Sequence, residues 1–173
     1  ETLLHAAREL NADQTFHFCF VGGGSEHRRV KEFAESEGLR NVTCLPYQPL
    51  SDLSGSLSAA DVHVVVMGEP MVGLIHPCKI YNVLQVNSPV LVIGPEESHL
   101  GDLLNQLKDS RLVARVNHGD VTGVVRELER IRDVGGRDET GLNARIVRNF
   151  SDSLLVPELA SRMEERVVIE LVS

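Results

Sequence analysis

Apolar positions along the chain switch repeatedly between a spacing of about 3.6 and a spacing of about 2, the repeats of an amphipathic helix and a half-buried strand. Leu3, Leu4, Ala7 and Leu10 share one face of a helix over residues 2–10. Residues 16–21 read as a strand that runs into Gly22-Gly23-Gly24-Ser25, and residues 26–37 as a helix stopped by Gly38 as its C-terminal cap. A short strand over 42–45 meets the loop Pro46-Tyr47-Gln48-Pro49, followed by a weak helix over 50–59. Residues 62–66 form a strand, and a helix opening on Pro77 extends to about residue 86. Ser88-Pro89 precedes a strand over 90–93, Ser98 caps a helix through residue 107, and residues 112–116 form another strand. Helices over 121–134 and 139–150 and a tail that starts helical complete the chain. No internal repeat, linker or low-complexity tract interrupts this order.

Strands that alternate with helices pair in parallel through crossover connections. The predicted fold is therefore α/β: a three-layer, Rossmann-like sandwich with a mostly parallel sheet. The 173 residues suffice for one domain with a full core. In such sheets ligands bind beyond the carboxyl ends of the strands. Loops 22–25, 46–49, 67–76 and 94–99 share that rim, and the site is placed there.

The segment from Asp61 to Asn82 carries the most chemistry. A buried strand, a glycine-containing loop and a proline-opened helix aim unpaired backbone N–H groups, backed by a helix dipole, at the space above the strand. A phosphate suits that environment. Gly73, Leu74 and Ile75 are expected to offer N–H groups to a diphosphate, with Lys79 adding charge. His76 is driven to an extended conformation by Pro77 and suits a capping or phosphate-contacting role. Lys79 and Asn82 lie three apart on one helical face, while Ile80, Val83 and Leu84 face the core. The competing reading is a surface helix with a solvated lysine.

Composition narrows the partners. A net charge of −8 argues against nucleic acid, which needs clustered Lys and Arg, but leaves a small anion open. Cys19, Cys44 and Cys78 show no paired spacing and fit a reducing cytoplasm, with Cys19 and Cys44 expected as buried free thiols in strands. No apolar run reaches membrane-spanning length. No His, Cys and carboxylate set has metal-ligand spacing, so neither a metal nor a cofactor is predicted. Gly23 and Gly24 permit close backbone approach to a ligand, although glycines also collect in ordinary turns. The dinucleotide fingerprint is absent: counting from Gly22, its third glycine falls at His27. Tyr47 either packs on a nucleobase or simply rests beside its two prolines. His63 reads as a satisfied core or interface residue, His99 as part of a helix cap or else as a rim histidine for proton transfer or phosphate binding, and Glu69 as a surface loop acid.

Taken in order, Phe18-Cys19-Phe20-Val21-Gly22-Gly23-Gly24, Gly38-Leu39-Arg40-Asn41-Val42, Leu45-Pro46-Tyr47, Leu57-Ser58-Ala59-Ala60-Asp61-Val62, His76-Pro77-Cys78-Lys79-Ile80-Tyr81-Asn82 and Ser88-Pro89-Val90-Leu91 resemble the donor-binding half of GT-B "group 1" glycosyltransferases. Bacterial colanic-acid-type polysaccharide transferases look most similar, and the resemblance fades after about Ile93. It implies retaining transfer of a sugar from a nucleotide diphosphate to a carbohydrate or lipid-linked acceptor, with front-face attack and no protein nucleophile. Catalytic residues remain unassigned. The donor site implied comprises Gly23, Gly24, Tyr47, Gly73, Leu74, Ile75, His76, Lys79 and Asn82.

Two departures from the family stand out. Where it places a ribose-gripping glutamate seven residues before Pro89, this chain has Asn82, which offers a neutral contact. The resemblance also implies that the first strand of this domain and the whole amino-terminal acceptor domain are missing, so residues 1–173 are expected to be inert alone. Any membrane association would come through that domain. Loss of a central strand leaves a gap of roughly 10 Å in the sheet. The β-rich stretch Val167-Val168-Ile169-Glu170-Leu171-Val172 is one candidate to fill it, within the chain or by exchange in a homodimer; the other reading of this stretch is the end of a helix. The alternatives to a transferase are a nucleotide-sugar epimerase-like domain and a non-catalytic interaction module of the same fold.

Overall fold

The computed structural model describes residues 1–107, 111–137 and 142–164. Helix α1 (Thr2–Glu9) leads to β1 (Phe18–Val21), α2 (Ser25–Ser36) and β2 (Val42–Leu45). A 3₁₀ turn at Leu50–Asp52 runs into α3 (Leu53–Ser58), then β3 (His63–Val66) and a second 3₁₀ turn at Glu69–Met71. Next come α4 (Lys79–Gln85), β4 (Val90–Ile93), α5 (His99–Gln106), β5 (Val113–Val116) and α6 (Val121–Val134). Helices α7 (Leu142–Arg148) and α8 (Asp152–Glu164) close the described chain. The stretch 167–172 lies outside the described residues.

All strand pairs are parallel. β1 pairs with β2, Phe18 opposite Val42. β4 lies between β3 and β5, with Val90 opposite both His63 and Val113. The strands form two separate ladders, β1-β2 and β3-β4-β5, so β1 and β3 each bond a neighbour on one edge only. β4 is buried at all four positions, as a strand covered on both faces should be. Its Val90 and Val92 join Ile80, Val83 and Leu84 of α4, Leu100, Leu103 and Leu104 of α5, and Ile146 of α7 in one core. Its Leu91 and Ile93 join Ala6 and Ala7 of α1, Phe18, and Val124, Leu128 and Ile131 of α6 in the other. Period-2 alternation along one strand thus builds two cores, and the result is the three-layer Rossmann-like α/β arrangement. Each fully buried aliphatic side chain in them contributes about 1.5–3 kcal/mol.

The two ladders are held together by helices. α1 packs on α6, the Gly119 N–H donates to Thr2 Oγ1 at 3.0 Å, and Arg132 reaches Asp13 at 3.2 Å. Cys19 is exposed rather than buried, because it points, with Val21, to the face of β1 opposite the one whose Phe18 and Phe20 pack into the core. Cys44 is half-buried, and desolvation raises its thiol pKa. The opening of α4 also departs from expectation. Cys78 is its N-cap and regular helix begins at Lys79, because Ile80 and Tyr81 N–H close tight turns onto the Pro77 and Cys78 carbonyls (3.1 and 3.2 Å).

Candidate functional site

Parallel strands bring every strand-to-helix loop to one rim. At the end of β1, the Gly22 N–H donates to the Leu45 carbonyl at 3.0 Å and extends the ladder by one residue. Gly22 and Gly24 adopt φ of 142° and 95°, conformations open mainly to glycine. The Tyr47 ring lies on the Gly22–Gly23 backbone: a Cβ at Gly23 would stand 2.9 Å from Tyr47 Cε2. The structure therefore joins Gly23 and Tyr47, while the ring remains 79% exposed and its free surface faces outward. Gly24 stands clear of other groups at the start of α2.

The loop after β3 is anchored at its base. The Met67 N–H bonds the Ile93 carbonyl at 3.0 Å, and His118 Nε2 contacts the Met67 carbonyl at 2.8 Å. The chain then turns through Glu69–Met71, and both Leu74 and Ile75 N–H groups donate to the Met71 carbonyl at 3.1 and 3.2 Å. Those two donors are therefore engaged inside the loop, unlike the arrangement expected from sequence. Gly73, with φ of 75°, keeps a free N–H among the described residues, as do His76, Cys78 and Lys79. The unpaired donors thus lie to either side of the Leu74–Ile75 pair, and Cys78 belongs with them. Glu69 is an exposed loop acid.

Lys79 and Asn82 lie exposed on one face of α4, above buried Ile80, Val83 and Leu84. Desolvation around the Lys79 ammonium lowers its pKa, and no carboxylate pairs with it among the described residues. His63 Nε2 contacts the Leu57 carbonyl at 2.8 Å. Burial lowers the His63 pKa against that bond, helped by repulsion from Lys79 and Arg137. Arg137 reaches the Val86 and Ser58 carbonyls and Ser88 Oγ, and so braces the opposite end of the sheet.

Beside α4 stands a cluster of side chains not anticipated from the sequence as a unit. The rings of His76 and His99 meet edge to face with centroids 4.3 Å apart. Tyr81 Oη is hydrogen-bonded to His99 Nε2, and Phe150 packs on Tyr81 at 4.8 Å. Ser98 caps α5 as expected, its Oγ accepting from the Gly101 N–H at 3.2 Å. Desolvation lowers the His99 pKa, followed by repulsion from His76, with Asp102 opposing. Desolvation raises the Tyr81 pKa, with Cys78 adding to it. Spacing gave no signal for this cluster, since it depends on how α4 docks beside α5.

A cavity of about 450 Å³ opens on the same rim, between α1, α2 and the turn before α6. Thr2, His5, Arg29, His118 and Gly119 line it, and His5 Nδ1 is buried there without a hydrogen-bond partner. Through His118 this cavity adjoins the base of the 67–76 loop. Among the described residues no group of three or more His, Cys, Asp or Glu side chains is placed to hold a metal, and no helix is long and apolar enough to cross a membrane.

No family profile matches the chain. Over 103 residues, 60% of its length, it is 30% identical to the putative colanic acid biosynthesis glycosyl transferase WcaI of Escherichia coli (strain K12). Over 101 residues, 58% of its length, it is 25% identical to the probable glycosyltransferase WbjE of Pseudomonas aeruginosa. In both comparisons the matched segment spans 25% of the relative. The chain is thus distantly similar to two bacterial glycosyltransferases over most of its length.

Proposed function

We propose that this chain is the nucleotide-sugar-binding part of a glycosyltransferase acting in polysaccharide or glycoconjugate biosynthesis. The observation that carries the reading is its similarity to the colanic acid transferase WcaI over 103 residues. The rim is chemically suited to the role. The free N–H groups of Gly73, His76, Cys78 and Lys79, with the Lys79 ammonium, can neutralise a diphosphate. Tyr47, lying over Gly22 and Gly23, offers an aromatic surface to a base. Asn82 can hydrogen-bond a ribose hydroxyl. In a retaining transfer these groups would stabilise the charge that grows on the departing diphosphate, and the acceptor, a carbohydrate or lipid-linked sugar, would come from outside the described rim.

Calorimetric titration with UDP, GDP and ADP tests this. Selective binding of one nucleotide is expected, weakened about tenfold or more in Lys79→Ala through loss of a charge-assisted contact. Failure of all three to bind the wild-type chain would refute the donor-binding role. A non-catalytic interaction module is the second reading. It is favoured by Asn82 in place of a carboxylate and by the engagement of the Leu74 and Ile75 N–H groups within the loop.

A further inference from the structure

The His76–His99–Tyr81 cluster stands where the 67–76 loop meets α4 and α5, and none of its contacts is needed to cap a helix. Two imidazole rings with centroids 4.3 Å apart cannot both carry charge without strong repulsion. The two rings are not equivalent. His76 is exposed on the loop, whereas His99 is half-buried and its Nε2 is occupied by the Tyr81 hydroxyl. When that hydroxyl donates, the Nε2 lone pair is no longer open to a proton. Phe150 holds the arrangement, packing on Tyr81 at 4.8 Å and edge-on to His99 at 6.1 Å.

We propose that His76 and His99 form a proton-linked clamp on the diphosphate site: Tyr81 keeps His99 neutral, and a bound diphosphate brings one solvent proton onto His76, so affinity rises as pH falls. The inference rests on the donor-binding reading and gives that site its pH dependence. The groups facing His99 are consistent with it. His76 comes from the loop, Tyr81 from α4 and Asp102 from its own helix, while Phe150 carries no charge and Cys78, which bears on Tyr81, also donates its Sγ–H to the His76 carbonyl at 3.3 Å. Burial and the neighbouring His76 ring both disfavour charge on His99, and of the two rings His76 is the one open to solvent. The adjoining free N–H groups of His76, Cys78 and Lys79 lie in the same stretch of backbone. His76 and Tyr81 thereby act as a contact residue and a positioning residue respectively.

Two readouts on the 173-residue chain test the proposal. The first is ring-carbon NMR of His76 and His99 against pH without ligand. His76→Gln is expected to raise the His99 midpoint, and Tyr81→Phe, which keeps the ring packed on Phe150, is expected to raise it as well. Independent titration of the two histidines would overturn the clamp whether or not any nucleotide binds. The second is titration with inorganic pyrophosphate and with the nucleotide selected above, between pH 6 and 8, in two buffers of different ionisation heat. One linked proton gives at most about a tenfold rise in affinity per pH unit. The ligand's own phosphate ionisation is common to both proteins, so the wild type is expected to take up more protons than His76→Gln, by at most one; identical pH dependence and identical uptake in the two proteins refute the clamp. Coupled histidines in a chain that binds neither pyrophosphate nor nucleotide would refute it together with the donor-binding role.

Discussion

Gly94 ends β4 with its N–H donating to the Val116 carbonyl at 2.9 Å, directly beneath the start of the 67–76 loop. A Cβ there would stand 2.7 Å from the Met67 carbonyl oxygen and 3.4 Å from the Met67 Cβ. Ordinary contacts of this kind are several tenths of an ångström longer, so Gly94→Ala must displace backbone. That backbone cannot yield freely. Met67 is 3% exposed, its N–H is bonded to Ile93, and its carbonyl also meets His118. Overpacking of this kind costs about 1–3 kcal/mol. In a chain of this size that lowers Tm by roughly 2–12 °C. The informative control makes the same substitution elsewhere. Gly55, inside α3, has nothing within 4 Å of its added methyl group and no left-handed φ. Gly55→Ala should stabilise by about 0.5–1 kcal/mol through helix propensity. Urea unfolding followed by circular dichroism reads both. Equal or higher stability for Gly94→Ala would refute the close approach that positions the loop, and with it the geometry of the rim.

Other tests are more direct. Ile80→Ala opens a hole in the fully buried face of α4 and should cost about 2–5 kcal/mol in urea unfolding. Ser98→Ala removes the cap accepting from Gly101 and should cost about 1 kcal/mol, with the loss confined to α5 by hydrogen exchange. The pH dependence of stability has a definite sign. His63 and His99 both have lowered pKa values in the fold, so the unfolded chain takes up protons first as the pH falls. Their stabilising contribution is present above about pH 6.5 and is lost on acidification toward their folded values. His63→Gln should flatten part of that loss in unfolding measurements made at pH 7.5 and 5.5.

Much of the layered fold was legible because strong patterns coincide with strong burial. The largely β-branched run Val90-Leu91-Val92-Ile93 behind Ser88-Pro89 reads as a strand and is buried on both faces, and the stripe of Val124, Leu128 and Ile131 marks α6. Lys79 and Asn82 were readable as one face because three residues is nearly a helical turn. The details of the loop were not. Leu74 and Ile75 turn their N–H groups onto the Met71 carbonyl because the chain makes a further turn directly after the 3₁₀ segment, and no side-chain pattern announces that choice. The contact of His76 with His99 was equally silent, since it brings a residue of the loop before α4 onto the first turn of α5. Cys19 misled for a related reason: β-propensity reports a strand, not which of its two faces is covered.

The division of the strands into two ladders bears on how the chain opens. A lone two-stranded ladder is marginal in water, so β1 and β2 borrow their stability from the α1–α6 seam and from Phe18 in the shared core. If that seam parts, the ladder loses its support while β3, β4 and β5 keep α4 and α5 packed against them. Amides of β1 and β2 should therefore exchange with solvent together, at a lower free energy than those of β4, as one cooperative unit. Gly22, Gly23 and the Tyr47 ring that covers them belong to that unit, whereas Lys79 and the histidine pair belong to the more persistent half. A nucleotide spanning both would act as the missing fastener, slowing exchange in β1 and β2 far from the atoms it touches on α4.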